Sequence, residues 1–128
     1  MTRKGFTLLE LIVVIIIIGI LATLGFSQYI KMVEKGRSAE ARIILGQIRT
    51  AQAAYQLEYG EYGTAISSLS VDAPTACVTT HYFNYSANAT NGTATRCNSG
   101  GKTPNVATAY SITLIYSTGI WGGTAGYY

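Results

Sequence analysis

Between Gly5 and Phe26 the chain reads GFTLLELIVVIIIIGILATLGF, and Glu10 is the one charged residue in that run. From Phe6 onward this is about 21 residues, which at about 1.5 Å of rise each make a helix just long enough to cross the hydrocarbon core of a bilayer. β-Branched residues dominate, but the length of the run and its lack of turn formers favour a helix over a strand. A secretory signal would be shorter and would end at a small-residue cleavage site. SQYIKMVEKG after Phe26 offers none, so the segment is expected to stay on the protein. A carboxylate at the centre of a membrane helix costs roughly 2.5–3.5 kcal/mol on insertion scales. Glu10 therefore needs either a shallow position, snorkelling to the headgroups, or a partner of opposite charge.

The helix is not expected to stop at the membrane. From Gln28 to Tyr62 there is no proline, and Ile44, Ile48, Ala51 and Tyr55 follow the four-three-four spacing of one helical face. Lys35, Arg42, Arg49 and Gln56 recur every seven residues on another face, suited to solvent or to a neighbouring subunit. A helix from Thr7 to about Glu58 would be on the order of 75–80 Å long, more than a domain of this size covers by itself. Gly60 and Gly63 are its expected stop. Gly19, Gly25 and Gly36 lie inside it and weaken it locally, by about 1 kcal/mol each where exposed.

At Thr64 the character changes to turn formers and β-type residues. VTTHYFNYS, ATAYSITLIYS and GIW read as strands, ANATNGTATRCNSGGKTPN as a turn-rich stretch between them. The expected fold is α+β: one long N-terminal helix and a small antiparallel sheet of three or four strands packed on its second half. Alternation puts Tyr110, Ile112, Leu114 and Tyr116 on the candidate core face, with Tyr55 and Tyr59 of the helix as candidates to meet it. Ten tyrosines could equally mark packing between subunits.

Chemistry-bearing clusters are not apparent. The net charge is +3, with scattered basic residues and no polybasic run, so nucleic acid is not an expected partner. Cys77 and Cys97, without a C-x-x-C or Cys/His cluster, read as one disulfide in an oxidising compartment rather than a metal site, with free thiols as the alternative. The bridge would close a loop of about twenty residues and be worth roughly 3 kcal/mol. It also orients the chain, since basic residues flank the apolar span on both sides and the disulfide requires the C-terminal half to be exported. Asn84, Asn88 and Asn91 each begin an N-x-S/T sequon and are candidate glycosylation sites. His81 is the one histidine, with no catalytic partner by sequence logic, so no catalytic residue, metal or cofactor is expected. Tyr29, Tyr55, Tyr59 and Tyr62 raise the idea of a conducting filament, but packing explains their spacing as well.

Arg3-Lys4-Gly5 followed by Phe6-Thr7-Leu8-Leu9-Glu10 and an Ile/Val/Leu-rich helix resembles the class III signal of type IV pilins and of the related pseudopilins of type II secretion. The resemblance implies a prepilin peptidase that cuts between Gly5 and Phe6 and methylates the new amine of Phe6. It divides the chain into a leader (1–5), a membrane or filament-core helix (6–27), its amphipathic continuation (28–63) and a β-rich head (64–128), the ladle-shaped pilin fold. In family filaments the residue matching Glu10 meets the amine matching that of Phe6, in its own or a neighbouring subunit. That gives the buried carboxylate its partner, because an opposite charge in low dielectric offsets part of the desolvation cost. The implied partners are membrane lipid before assembly, further copies in a helical filament, the peptidase, and an assembly platform with its motor. The implied location is the inner (cytoplasmic) membrane, then the cell surface. Relatives often lose helicity between a glycine matching Gly19 and a downstream proline. Here Ser27 stands in the place of that proline, and Gly25 adds a second weak point. Adhesion, motility and DNA uptake are the family's roles. A type II pseudopilin is the runner-up, although YGEYGTAISSLS lacks the usual proline and no calcium-ligand cluster follows. A single-pass membrane-anchored binding domain is the reading outside the family.

Overall fold

The computed structural model describes Thr2 and residues 4–128. One helix, α1, runs Leu8–Tyr59, and a four-stranded sheet follows: β1 Phe83–Ala87, β2 Asn91–Arg96, β3 Ser111–Ile115 and β4 Trp121–Gly123. The chain forms two compact units, Met1–Glu34 and Lys35–Tyr128.

In the first unit α1 passes through Gly19 and Gly25 without interruption. The Thr23 hydroxyl donates to the Gly19 carbonyl at 2.8 Å and that of Ser27 to the Leu24 carbonyl at 3.3 Å, so both polar side chains are turned back onto their own helix. The large apolar side chains from Leu8 to Met32 are exposed. By length and composition this helix can cross a membrane.

In the second unit the sheet is an antiparallel meander in the order β1-β2-β3-β4. Its core joins Ala41, Ile44, Leu45 and Ile48 of α1 to Phe83 and Tyr85 of β1, Ala94 of β2, and Ile112 and Leu114 of β3. The expected face of Tyr110, Ile112, Leu114 and Tyr116 is buried. Tyr55 packs at the edge of this core. Tyr59 does not meet the sheet: it is 60% exposed, its ring tilted against that of Tyr55 with centroids 4.4 Å apart. Tyr62 takes its place, with its ring 5.3 Å from that of Tyr116.

The strands depart from expectation in placement. VTTH precedes β1 as loop, and β2 lies inside the stretch expected to be turns. The inward positions of β2 are Gly92, Ala94 and Arg96. They are small where α1 crosses: a Cβ on Gly92 would stand 3.1 Å from Leu45 and 3.4 Å from Ile48. A strand chosen for close approach lacks the β-branched signature by which strands are read.

α1 ends where Gly60 takes a left-handed conformation, φ 80°. Gly63 is held differently. The Gln52 side chain, fully buried in the helix, donates to the Gly63 carbonyl at 2.7 Å and accepts from its N–H at 2.8 Å. That pair turns the chain back toward the short 3-10 turn Ile66–Ser68, whose Ile66 enters the core.

Candidate functional site

Two regions carry the polar chemistry, the start of α1 and the connections around the disulfide. Gly5 and Phe6 precede the helix, and Phe6 is 88% exposed. Arg3 lies outside the described residues. At the helix start Thr7 and Glu10 form a capping box. The Glu10 N–H donates to the Thr7 hydroxyl at 3.2 Å, while one carboxylate oxygen, Oε2, accepts from both the N–H and the hydroxyl of Thr7 at 2.8 Å. This answers part of the question Glu10 poses, because backbone N–H groups at a helix start have no intrahelical acceptor and must find one. Glu10 is thus tied into the helix start one residue from Phe6. Its other oxygen, Oε1, makes no hydrogen bond among the described residues. The T-x-x-E spacing was present in the sequence as the signal for this box.

The disulfide Cys77–Cys97 is formed, with Cα atoms 5.8 Å apart. It ties the segment before β1 to the end of β2. Beside it Arg96, 1% exposed, donates to the carbonyls of Tyr82 at 3.0 Å, Cys97 at 3.3 Å and Thr103 at 2.5 Å, and its guanidinium lies over the rings of Tyr82 and Phe83. Charge-assisted bonds to three carbonyls shape the loop after β2. Glu40 of α1 does the same for the start of β1: its carboxylate accepts from the Tyr82 N–H at 2.9 Å and from the Tyr85 hydroxyl at 3.4 Å. Burial, with the Glu40 charge alongside, pushes the Tyr85 hydroxyl far above the usual tyrosine range. Arg49 donates to the Tyr116 carbonyl at 2.9 Å and lies against Gly119, where a Cβ would stand 2.9 Å from its guanidinium. Nothing in local sequence marks Gln52 and Arg96 as buried, or the half-buried Glu40 as tied to Tyr82 and Tyr85 more than forty residues on.

His81 sits in a loop rather than a strand, half-buried, its Nδ1 hydrogen-bonded to the Thr80 hydroxyl at 2.8 Å. Of the sequons, Asn84 lies in β1 and Asn91 opens β2, both half-buried, while Asn88 is exposed between them. The Asn88 carbonyl oxygen accepts from Thr90 N–H, Thr90 hydroxyl and Asn91 N–H, and its amide donates to Asn91 at 3.0 Å, so the side chain builds the β1–β2 turn. No group of three or more metal-ligating side chains gathers among the described residues.

Residues 1–26 match the prokaryotic N-terminal methylation motif, and residues 38–120 match the family described as type IV pilin-like G and H. Among curated proteins, the type IV major pilin protein PilA of Myxococcus xanthus is 39% identical over 60 residues, 47% of this chain and 27% of the relative. The type IV major fimbrial protein FimA of Dichelobacter nodosus is 43% identical over 49 residues, 38% of this chain and 31% of the relative. The type IV major pilin protein PilE1 of Neisseria gonorrhoeae is 33% identical over 72 residues, 56% of this chain and 44% of the relative. The chain spans less than half the length of these relatives. They are structural proteins, not enzymes. With the methylation motif on its apolar helix and the second match covering more than half of its length, the chain belongs to the type IV pilin-like family.

Proposed function

We propose that this protein is a structural subunit of a type IV pilus. The observation that carries the reading is the coincidence, in one chain, of the methylation motif over residues 1–26 with an exposed apolar helix and a disulfide-linked β head. In this reading residues 1–5 are a leader removed by a prepilin peptidase between Gly5 and Phe6, and Phe6 is then N-methylated. Residues 6–27 hold the subunit in the inner membrane until assembly, and 28–63 carry the helix into the head of 64–128. An assembly platform and motor move subunits into a surface filament, where α1 packs against the helices of other copies. Gly19 and Gly25 are the places where that packed helix can yield.

Glu10 then has two tasks. Through Oε2 it caps its own helix, and through Oε1 it offers a charge to the Phe6 ammonium of its own or a neighbouring subunit. In the bilayer an unmatched carboxylate is costly, so docking that brings an ammonium within a few ångström is favoured over remaining alone. Substitution separates the tasks. Glu10→Gln keeps a side chain suited to the capping box but removes the charge, whereas Glu10→Ala removes both. Both variants are expected to be processed and held in the membrane, and both to be deficient in filaments sheared from the cells. Normal filament yield from Glu10→Gln sinks the pairing argument. Gly5→Val is expected to block processing, and a normally shortened chain from that variant refutes the cleavage assignment.

A further inference from the structure

Lys35, Arg42 and Arg49 recur every seven residues on one face of α1, and all three are exposed. Seven residues are close to two turns, so each step of the row is about 10.5 Å along the helix with little drift around it. Neither arginine meets a carboxylate among the described residues. Glu40, the acid nearest to Arg42 on α1, is committed to Tyr82 and Tyr85. The row is a line of unneutralised charge.

The sheet gives this line an aromatic border and holds one of its members in place. The Arg42 guanidinium lies 5.8 Å from the centroid of the Trp121 ring, at the start of β4 and half-buried. Arg49 spends its Nε on the Tyr116 carbonyl at 2.9 Å. Its guanidinium also lies across Gly119, where φ is 72° and a Cβ would stand 2.9 Å from Nη1, 3.0 Å from Cζ and 3.1 Å from Nη2. A bond at Nε and a backbone packed against the fork fix its direction. Both Nη atoms are left without a hydrogen bond among the described residues. Arg49 borders a hollow of about 380 Å³ with Thr50, Tyr62, Tyr116 and Trp121, and no carboxylate lines it.

These features select a ligand. A planar fork with two unspent Nη groups is the donor set that a carboxylate or a phosphate fills with two parallel bonds. Spacing separates the two. One strand of duplex DNA presents a phosphate about every 3.4 Å of its axis, roughly three for each step of the row. An extended polymer of acidic sugars, whose alternate residues face opposite ways, presents one carboxylate per disaccharide to a given side, and a disaccharide is about as long as one step. The aromatic border points the same way, because the indole offers an apolar surface to the face of a sugar ring.

We propose that Arg42, Arg49 and Trp121 form a binding site for an acidic polysaccharide of the polyuronate type. One carboxylate sits on the Nη edge of Arg49, a sugar ring lies against Trp121, and the next carboxylate of like facing meets Arg42, with Lys35 one step further along. The site lies wholly within the second unit, so it does not depend on assembly of the chain.

Trp121 is the one tryptophan of the chain, and its fluorescence therefore reports on the site itself. The test is titration of the full chain in nonionic detergent micelles with three probes: short oligogalacturonate, its methyl ester, and a DNA duplex. Oligogalacturonate is expected to give a saturable change. The ester is expected to bind about tenfold more weakly or worse, and so is the acid to Arg49→Gln, since each loses a charge-assisted pair. Arg42→Gln is expected to weaken binding in the same way while melting like the unaltered chain, because Arg42 makes no hydrogen bond among the described residues. No binding of the acid, equal binding of acid and ester, or undiminished binding by Arg42→Gln overturns the proposal. DNA bound as tightly as the oligogalacturonate overturns the sugar assignment and makes the row a phosphate-binding face.

Discussion

Replacing Gln52 by leucine isolates the tie that ends the helix. Leucine fills nearly the same volume, so the cost of an empty cavity is small. What is lost is the reciprocal pair with Gly63, 2.7 Å to its carbonyl and 2.8 Å from its N–H, in a place where both residues are buried. Each backbone group left buried without a partner costs about 1–3 kcal/mol. With two of them, the expected destabilisation is about 2–6 kcal/mol if the loop stays packed, and the lower end applies if it opens to admit water. For a cooperative unit of this size that lowers the melting temperature by at least roughly 8 °C, at roughly 4 °C or more per kcal/mol. The assay is denaturant unfolding of the full chain in detergent micelles, followed by Trp121 fluorescence, with exposed Gln56→Leu as the control. A loss below about 1 kcal/mol for Gln52→Leu, or an equal loss in the control, would refute the claim that this pair fixes the Gly63 turn.

Replacing both Cys77 and Cys97 by serine frees a loop of 20 residues and is expected to cost about 3 kcal/mol in the same assay. Gly46→Ala is expected to raise stability by up to about 1 kcal/mol, because the new methyl meets nothing in its own chain. Ile48→Ala, at a fully buried position, is expected to cost about 2–5 kcal/mol, against a few tenths for Leu57→Ala on the open face. The Tyr85 hydroxyl titrates higher in the folded chain than in the unfolded one because it is buried beside Glu40. Its contribution is therefore intact below about pH 10 and is lost as the pH rises beyond that. Tyr85→Phe is expected to flatten that alkaline fall, which unfolding curves at pH 9 to 11 measure.

The long helix, its stop at Gly60 and the inward face Tyr110 to Tyr116 were legible because each rests on periodicity or on glycine's backbone freedom, which local sequence carries. β2 was not legible, because its inward residues are chosen for the approach of Leu45 and Ile48 rather than for strand propensity. The exchange of Tyr59 for Tyr62 against the sheet depends on where the chain turns after the helix. The Gln52 tie to Gly63 fixes that turn, and no pattern within either segment announces it. The start of α1 was half legible. Arg3, Lys4, Gly5, Phe6 and Glu10 were visible as a motif, while the capping role of Glu10 lay in the T-x-x-E spacing and needed geometry to be seen. Arg96 and Glu40 carry no local mark of their roles: Arg96 is buried on the carbonyls of the loop that follows β2, and Glu40 holds the Tyr82 N–H 42 residues on.

Processing between Gly5 and Phe6 decides whether the chain is a pilus subunit, and mass spectrometry of the N-terminal peptide measures it directly, on filaments sheared from the cell surface and separately on the membrane fraction. A pilus subunit predicts sheared material whose chain begins at N-methylated Phe6. The same processed chain confined to the membrane fraction would point to a pseudopilin or a minor subunit, and a chain still intact from Met1 in both fractions would contradict the account.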